Sequence, residues 1–328
     1  MTPTIRRRQA LQHVSLGLGA GLLQTLAFAQ STDTKPLRLI LPVGAGSGVD
    51  AATRAVSTAL ARNLGAPVVI ENMPGAGGVP GTQALVRAPK DGTVLGVLSN
   101  NHVVNPSVYK TMPYDSLADI TPVMVIGSAP LVLVAHPSFA PRNLKEMVAL
   151  AKSRPGQLNY ASSGNGTIIQ LAFEALKMEA GIFVTHIPYR SMGQAVTDVI
   201  GNQVPMVFAA ASIVQPHIKS GALKALAVGS AQRTPVLPDV PTVAEQGYPN
   251  YDLGGWIAVA GPAGLPAAEV SRLHGVWRRT LESGEGRDAL IAQGYQLKLL
   301  APDASARFFK SEIERMAKIV KTANVKLD

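Results

Sequence analysis

The stretch LRLILPVGAGSGVDAATRAVSTAL, residues 37–60, sets the reading of the fold. Leu37–Leu41 is an apolar run of strand length. Glycines follow at 44, 46 and 48, and from Ala51 to Leu64 the apolar positions Ala55, Leu60 and Leu64 suit a helix. Strand, glycine-rich turn and helix make up the repeating unit of an α/β protein. Such a turn lets backbone N–H groups approach an anion, and the helix N-terminus adds a partial positive charge of about half a unit. Asp50 reads as the N-cap of the helix.

A dinucleotide fingerprint needs G-x-G-x-x-G and an acid at the end of the next strand. Glu71 sits near that acid position. The third glycine is missing in either register, because Val49 and Ala51 occupy the required places, and Pro42 interrupts the strand-to-turn entry. No lysine follows the glycines, which excludes a P-loop. What remains is a glycine-rich anion trap or a plain tight turn.

The rest of the chain repeats the pattern. Strand-like runs are expected at 67–72, 93–99, 130–136, 158–162, 184–189, 204–210 and 223–230, with helical stretches at 144–152, 168–180 and 193–200. Continuous apolar strands alternating with helices predict parallel sheets covered on both faces. From Pro266 the tail reads as helical, over 267–281, 286–293 and 304–323, with Asp303 as an N-cap. The Pro-rich segment 233–250 reads as a long connection with a short helix at 242–246. Two α/β blocks and a returning helical tail predict one discontinuous lobe, 30–128 with 229–328, and a second lobe, 129–228. Two crossings leave a cleft, the usual place for a ligand.

Residues 1–29 read as an export signal. Arg6-Arg7-Arg8 is followed by the apolar run Leu16–Leu26 and by Ala27-Phe28-Ala29, an A-x-A cleavage site. Cleavage after Ala29 places the protein in the periplasm. Paired arginines allow the twin-arginine route beside the general one, although Ala10 stands where a bulkier apolar residue is preferred. Without this segment, which holds three arginines and no acid, the chain carries 27 basic and 21 acidic side chains. The excess of +6 is scattered, and aromatics make up only 5% of the chain. That combination argues against a nucleic-acid surface and suits a small anion or ordinary solubility. The absence of cysteine rules out thiol chemistry and disulfides.

A second hydroxyl- and glycine-rich loop, SSGNGT at 162–167, opens the helix at 168. Two such loops, one in each expected lobe, could grip both ends of a small anion. The glycine-rich stretch 72–78 reads equally as a turn or as a ligand wall. Arg190, in HIPYRSMG, is a cation at the end of a strand, where a guanidinium can recognise a carboxylate through two hydrogen bonds. Catalytic sets are poorly represented. Ser47 lies between Ala45 and Val49, so G-x-S-x-G is absent, and the histidines at 102, 136, 186, 217 and 274 lack metal spacing. His186 and His217 read as structural, and Trp256 and Trp277 as core.

Taken together, LRLILPVGAGSGVDAATR, VVIENMPGAGGVPGTQAL, DGTVLGVLSNNHVVNPSVYK, PYD at 113–115, LNYASSGNGT, HIPYRSMGQAVTD, PHIKSGALKALAVGS and LPDVPTVAEQGYPNYD with Trp256 run in order across the mature chain. They resemble the extracytoplasmic solute receptors of the tripartite tricarboxylate transporter family, Bug type. The resemblance implies a two-lobed periplasmic-binding-protein fold, type II-like, with each lobe a sheet flanked by helices and a carboxylate held in the cleft between them. It implies membrane permease subunits as partners, a monomer, and no cofactor, metal or catalysis. By matching position, the implied ligand residues are Gly46, Ser47, Gly48, Asp50, Asn101 and His102 in the first lobe, and Ser162, Ser163, Gly166, Thr167, Arg190 and Ser191 in the second. Where the family carries F-D-N, this chain has Phe208-Ala209-Ala210, so Ala209 and Ala210 stand at the cleft in place of an acid. That departure favours a plain mono- or dicarboxylate, aromatic ones included, over an amino acid. A sensor for a membrane signalling partner is the alternative reading. An exported hydrolase using Ser47 or Ser163 with His102 or His186 ranks below it.

Overall fold

The computed structural model describes residues 35–323 and 325; the expected export segment and its cleavage site lie outside the described residues. In chain order the strands are β1 (Leu37–Leu41), β2 (Val68–Asn72), β3 (Val94–Ser99), β4 (Ile120–Ala129), β5 (Leu131–Ala135), β6 (Asn159–Ser162), β7 (Thr185–Pro188), β8 (Met206–Ala210), β9 (Lys224–Val228), β10 (Gly255–Pro262) and β11 (Gln296–Leu300). The helices are α1 (Gly48–Leu64), α2 (Val79–Val86), α3 (Asn101–Val108), α4 (Leu144–Ser153), α5 (Ile168–Ala180), α6 (Met192–Ile200), α7 (Ala211–Lys219), α8 (Ala267–Glu282), α9 (Gly284–Ala292) and α10 (Pro302–Ala323).

Two sheets organise the chain. The first has the order β11-β4-β10-β3-β1-β2 and the second β7-β6-β8-β5-β9. β1 is parallel to β2 and β3 and lies between them, with Leu39, Ile40 and Leu41 buried, as expected of a strand covered on both faces. α1 packs its Val56 and Leu60 face with Trp277 and Leu281 of α8. Its N-cap is Ser47, whose Oγ accepts the Asp50 N–H at 3.3 Å, and Gly65 ends it in the left-handed conformation. Asp50 is therefore not the cap but a residue of the first helical turn.

The sheets are mixed, which corrects the expectation of parallel ones. β10 runs antiparallel to β3 and β4, β11 antiparallel to β4, and β5 antiparallel to β8 and β9. The chain passes from the first sheet to the second through Pro130, between β4 and β5, and returns at β10. β4, β10 and β11 lack a clear sequence signature. β4 carries Pro122 at a register irregularity opposite Ala260. It also carries Gly127, where a Cβ would meet the Gln296 carbonyl oxygen at 2.3 Å.

The segment 233–250 is no free connection. Val243 N–H donates to the Val228 carbonyl at 2.8 Å, and the Gln246 amide bridges the Leu226 carbonyl and the Leu144 N–H at 2.9 and 3.0 Å. These bonds hold the segment on the second sheet. The helix expected at 242–246 is a turn, closed by Glu245 N–H on Thr242 Oγ1 and Thr242 N–H on Glu245 Oε2. α10 begins at Pro302, so Asp303 lies in its first turn, where a carboxylate meets the positive helix end. Glu312 of α10 accepts from Trp256 Nε1 at 2.9 Å and pairs with Arg315, which also donates to the Asp252 carbonyl at 2.8 Å. α10 thereby ties the returning crossover at Asp252–Trp256 to α3, β4 and α5, on which it packs.

Candidate functional site

The carboxyl ends of β1, β2 and β3 face those of β6, β7 and β8 across a cavity of about 750 Å³. On the first side, β1 delivers the turn at 43–48. Asp50 shapes it: one carboxylate oxygen accepts the Gly46 N–H at 2.9 Å, and the other takes Arg54 Nε at 2.9 Å and Asn72 Nδ2 at 3.0 Å. Burial pushes the Asp50 carboxyl pKa up, but these donors outweigh it and hold the group below its ordinary value. Asp50 stays ionised and points into the turn rather than into the cavity. The N–H groups of Gly48 and Val49, in the first turn of α1, find no protein acceptor among the described residues.

On the second side, β6 delivers the turn at 163–167. Gly164 sits at φ 122°, a conformation reserved for glycine. The Thr167 hydroxyl donates to the Gly164 carbonyl at 2.8 Å, and Gly166 N–H donates to Gln170 Oε1 at 2.7 Å. The N–H groups of Asn165 and Thr167 have no protein acceptor among the described residues. Ile168 N–H, at the start of α5, donates across the cavity to Asn101 Oδ1 at 3.3 Å. That bond joins the two sides directly.

Among the described residues the wall has one charged side chain. Arg190, exposed and without a hydrogen-bond or ion-pair partner among the described residues, follows β7 beside the 163–167 turn. No acid among the described residues lines the cavity. Apolar and aromatic surface comes from Leu131, Ile213, Tyr109, Trp256 and Tyr295. Tyr189, also among the lining residues, donates its hydroxyl to Asp198 at 2.8 Å; burial and that carboxylate push its pKa up to about 12, so it stays a donor.

Among the residues expected from the sequence, the wall contains Ser47, Gly48, Asn101, Ser163, Thr167, Arg190, Ser191 and Ala210. It does not contain Gly46, Asp50, His102, Ser162, Gly166 or Ala209. His102 is a buried core residue. Its Nε2 meets the Ser116 carbonyl at 2.8 Å, and burial lowers its pKa to about 4, leaving it neutral. Ala209 is fully buried in β8 between β5 and β6. Trp256, read as core, is buried, with its ring against Phe308 and Phe309, and is also among the lining residues; Tyr295 gave no sequence signal. The stretch at 74–78 is wall, steadied by Asn105 Nδ2 on the Gly77 carbonyl at 3.1 Å.

Neither Ser47 nor Ser163 is paired with a histidine. Ser162 lies close to His186 and Ser138 close to His136, but Ser162 is fully buried off the wall and Ser138 is also off it. Among the described residues no cluster of three His, Cys, Asp or Glu could hold a metal, and no helix is long and apolar enough to cross a membrane. The arrangement offers orphaned N–H donors from both sides, one guanidinium and an apolar wall, a combination suited to binding.

The family model for the tripartite tricarboxylate transporter family receptor matches residues 52–325. BugT of Bordetella pertussis is 34% identical over 307 residues, covering 92% of this chain and 94% of the relative. A Rhodopseudomonas palustris protein solved with adipate superposes with a TM-score of 0.86 at 29% identity, over 90% of this chain and 99% of that one. MatC of the same organism, solved with malate, gives 0.81 at 28% identity, over 88% and 99%.

Proposed function

The chain belongs to the tripartite tricarboxylate transporter family of receptors, and we propose that it captures an uncharged-bodied organic carboxylate in the cleft and delivers it to that transporter's permease subunits. One observation carries the reading. Among the described residues the cavity combines orphaned N–H groups at Gly48, Val49, Asn165 and Thr167 with Arg190 as its one charged side chain and with no acid. A carboxylate satisfies those donors, whereas a ligand ammonium group would find no counter-charge. Relatives solved with adipate and malate support the same ligand class. The volume, with Trp256, Tyr109 and Tyr295 on the wall, suits a body of aromatic-ring size or longer better than a four-carbon acid.

The protein acts as two lobes, one on each sheet. The first crossing lies at Pro130. The second lies at Gly254, because residues 230–253 are bonded to the second sheet, so the second lobe runs from 130 to 253. Binding swaps cleft water for protein contacts and favours the closed arrangement. The receptor works as a periplasmic monomer, processed after Ala29, with no cofactor, and it does no chemistry on its ligand.

A thermal-shift screen of aliphatic and aromatic carboxylates, with amino acids as controls, tests this. A carboxylate at a hundred times its Kd adds about 2.7 kcal/mol to stability, which raises the melting temperature by several degrees. A broad panel with no shift, or a shift with amino acids alone, would overturn the assignment.

A further inference from the structure

The parallel register of β6 and β7 sets Tyr160 beside His186 and Ser162 beside Pro188. Side chains alternate along a strand, so Tyr160 and Ser162 share a face, and His186 shares it with them. The imidazole stacks on the Tyr160 ring at 4.9 Å between centroids. The phenol is anchored in turn, donating to Glu174 at 2.6 Å, and Glu174 pairs with Lys177 at 2.8 Å. Held in this way, His186 Nε2 lies 2.5 Å from Ser162 Oγ.

Ser162 Oγ has two further contacts. Gly164 N–H donates to it at 3.0 Å, and the Gly164 carbonyl lies 3.1 Å away. A hydroxyl has one proton to give. The Gly164 carbonyl also accepts from Thr167 Oγ1 at 2.8 Å, and the contact to His186, at 2.5 Å against 3.1 Å to the carbonyl, is the better use of the Ser162 proton. Gly164 N–H then donates to Ser162, Ser162 to His186, and Thr167 to Gly164. Each of these three donors is used once, and His186 Nε2 acts as an acceptor.

We propose that His186, in the Nδ1–H tautomer, is a positioning residue that holds the Ser162–Gly164 turn in the shape that leaves the Asn165 and Thr167 N–H groups free for the ligand. This rests on the carboxylate reading of the cleft. His186 itself is not on the cavity wall. Burial, opposed by Glu174 and aided by Lys177, lowers its pKa to about 4, so the neutral ring prevails at neutral pH.

The test uses the mature wild-type protein with two variants. His186→Phe keeps the ring stack and removes the acceptor. His186→Gln places an amide oxygen near Nε2. With the carboxylate that gives the largest wild-type thermal shift, calorimetry is expected to show about ten-fold weaker binding for His186→Phe and recovery to within about three-fold for His186→Gln. A role confined to packing would show no rescue by Gln. Nitrogen-15 NMR of the unliganded wild type is expected to show Nδ1 protonated and Nε2 bare. Nε2 protonation, or wild-type affinity in His186→Phe, overturns the proposal. A wild type that binds no carboxylate defeats the ligand reading instead, and the tautomer still decides whether His186 is the acceptor for Ser162.

Discussion

Gly48→Ala is expected to separate binding from stability. Gly48 is the first residue of α1, and alanine is preferred there over glycine by up to about 1 kcal/mol on helix propensity alone. A Cβ at this position would lie 3.0 Å from the Ala210 Cβ, 3.6 Å from Ser212 Oγ and 4.0 Å from the Tyr295 hydroxyl. Optimal carbon–carbon contact is about 3.5–4.0 Å, so the methyl demands a retreat of roughly half an ångström from Ala210. Gly48 opens the helix after β1 of the first sheet and Ala210 ends β8 of the second, so parting the two lobes proposed above relieves the clash without distorting either. Overpacking by a methyl typically costs about 1–3 kcal/mol. Here the cost falls on the closed arrangement and so on ligand affinity. The expected result is a Kd raised by about 5- to 150-fold, with an unliganded melting temperature equal to or above that of the wild type. Calorimetry and thermal denaturation with and without ligand measure both. Adding Ala210→Gly should restore much of the affinity, because that contact is shared. An unchanged Kd in Gly48→Ala would refute the argument, since the lobes would then not meet there when the ligand is bound.

Three other perturbations have distinct signatures. Arg190→Gln should weaken carboxylate binding by about ten-fold, the low end of a charge-assisted hydrogen bond because the side chain is exposed, and should flatten the salt dependence of Kd. Asn101→Ala removes the bond to Ile168 N–H across the cleft. It should raise Kd by roughly two- to ten-fold in surface-based kinetics, mainly through faster release, with little change in unliganded stability. Asp50→Ala removes the acceptor for Gly46 N–H, Arg54 and Asn72 and should cost about 1–2 kcal/mol at neutral pH in urea unfolding. The folded-state pKa of Asp50 is depressed, so its contribution is present above the ordinary carboxylate pKa and is lost as pH falls through the folded value. The gap between wild type and Asp50→Ala should therefore narrow in strong acid, and a constant gap would contradict the assigned role.

The strands around the site were legible where burial is local and continuous. Leu37–Leu41, Val94–Ser99 and Met206–Ala210 are buried runs that read as strands in isolation. The two turns at 43–48 and 163–167 were legible for a similar reason, since glycine and hydroxyl residues between a strand and a helix have few other uses. β4, β10 and β11 were not. Their glycines and Pro122 are tolerated only because particular neighbours cross them, as Gln296 crosses Gly127. Asp50 and His102 illustrate the same limit in the site. Both stand one or two residues from the cavity wall, and side-chain direction alone sends Asp50 into its own turn and His102 into the core.

From the order of its residues alone, this chain is committed to alternating strands and helices, to glycine-rich turns between strand and helix on both sheets and to a receptor family. The first two depend on local periodicity and on backbone chemistry, and the third on the ordered run of motifs that the family shares. Which N–H groups remain unpaired, that among the described residues Arg190 alone brings charge to the wall, that a side chain at Gly48 would meet Ala210 and that His186 backs Ser162 depend on contacts between segments up to about 160 residues apart. Those contacts exist only after the two sheets have packed, because it is packing that chooses which face of each strand and which end of each helix looks into the cleft.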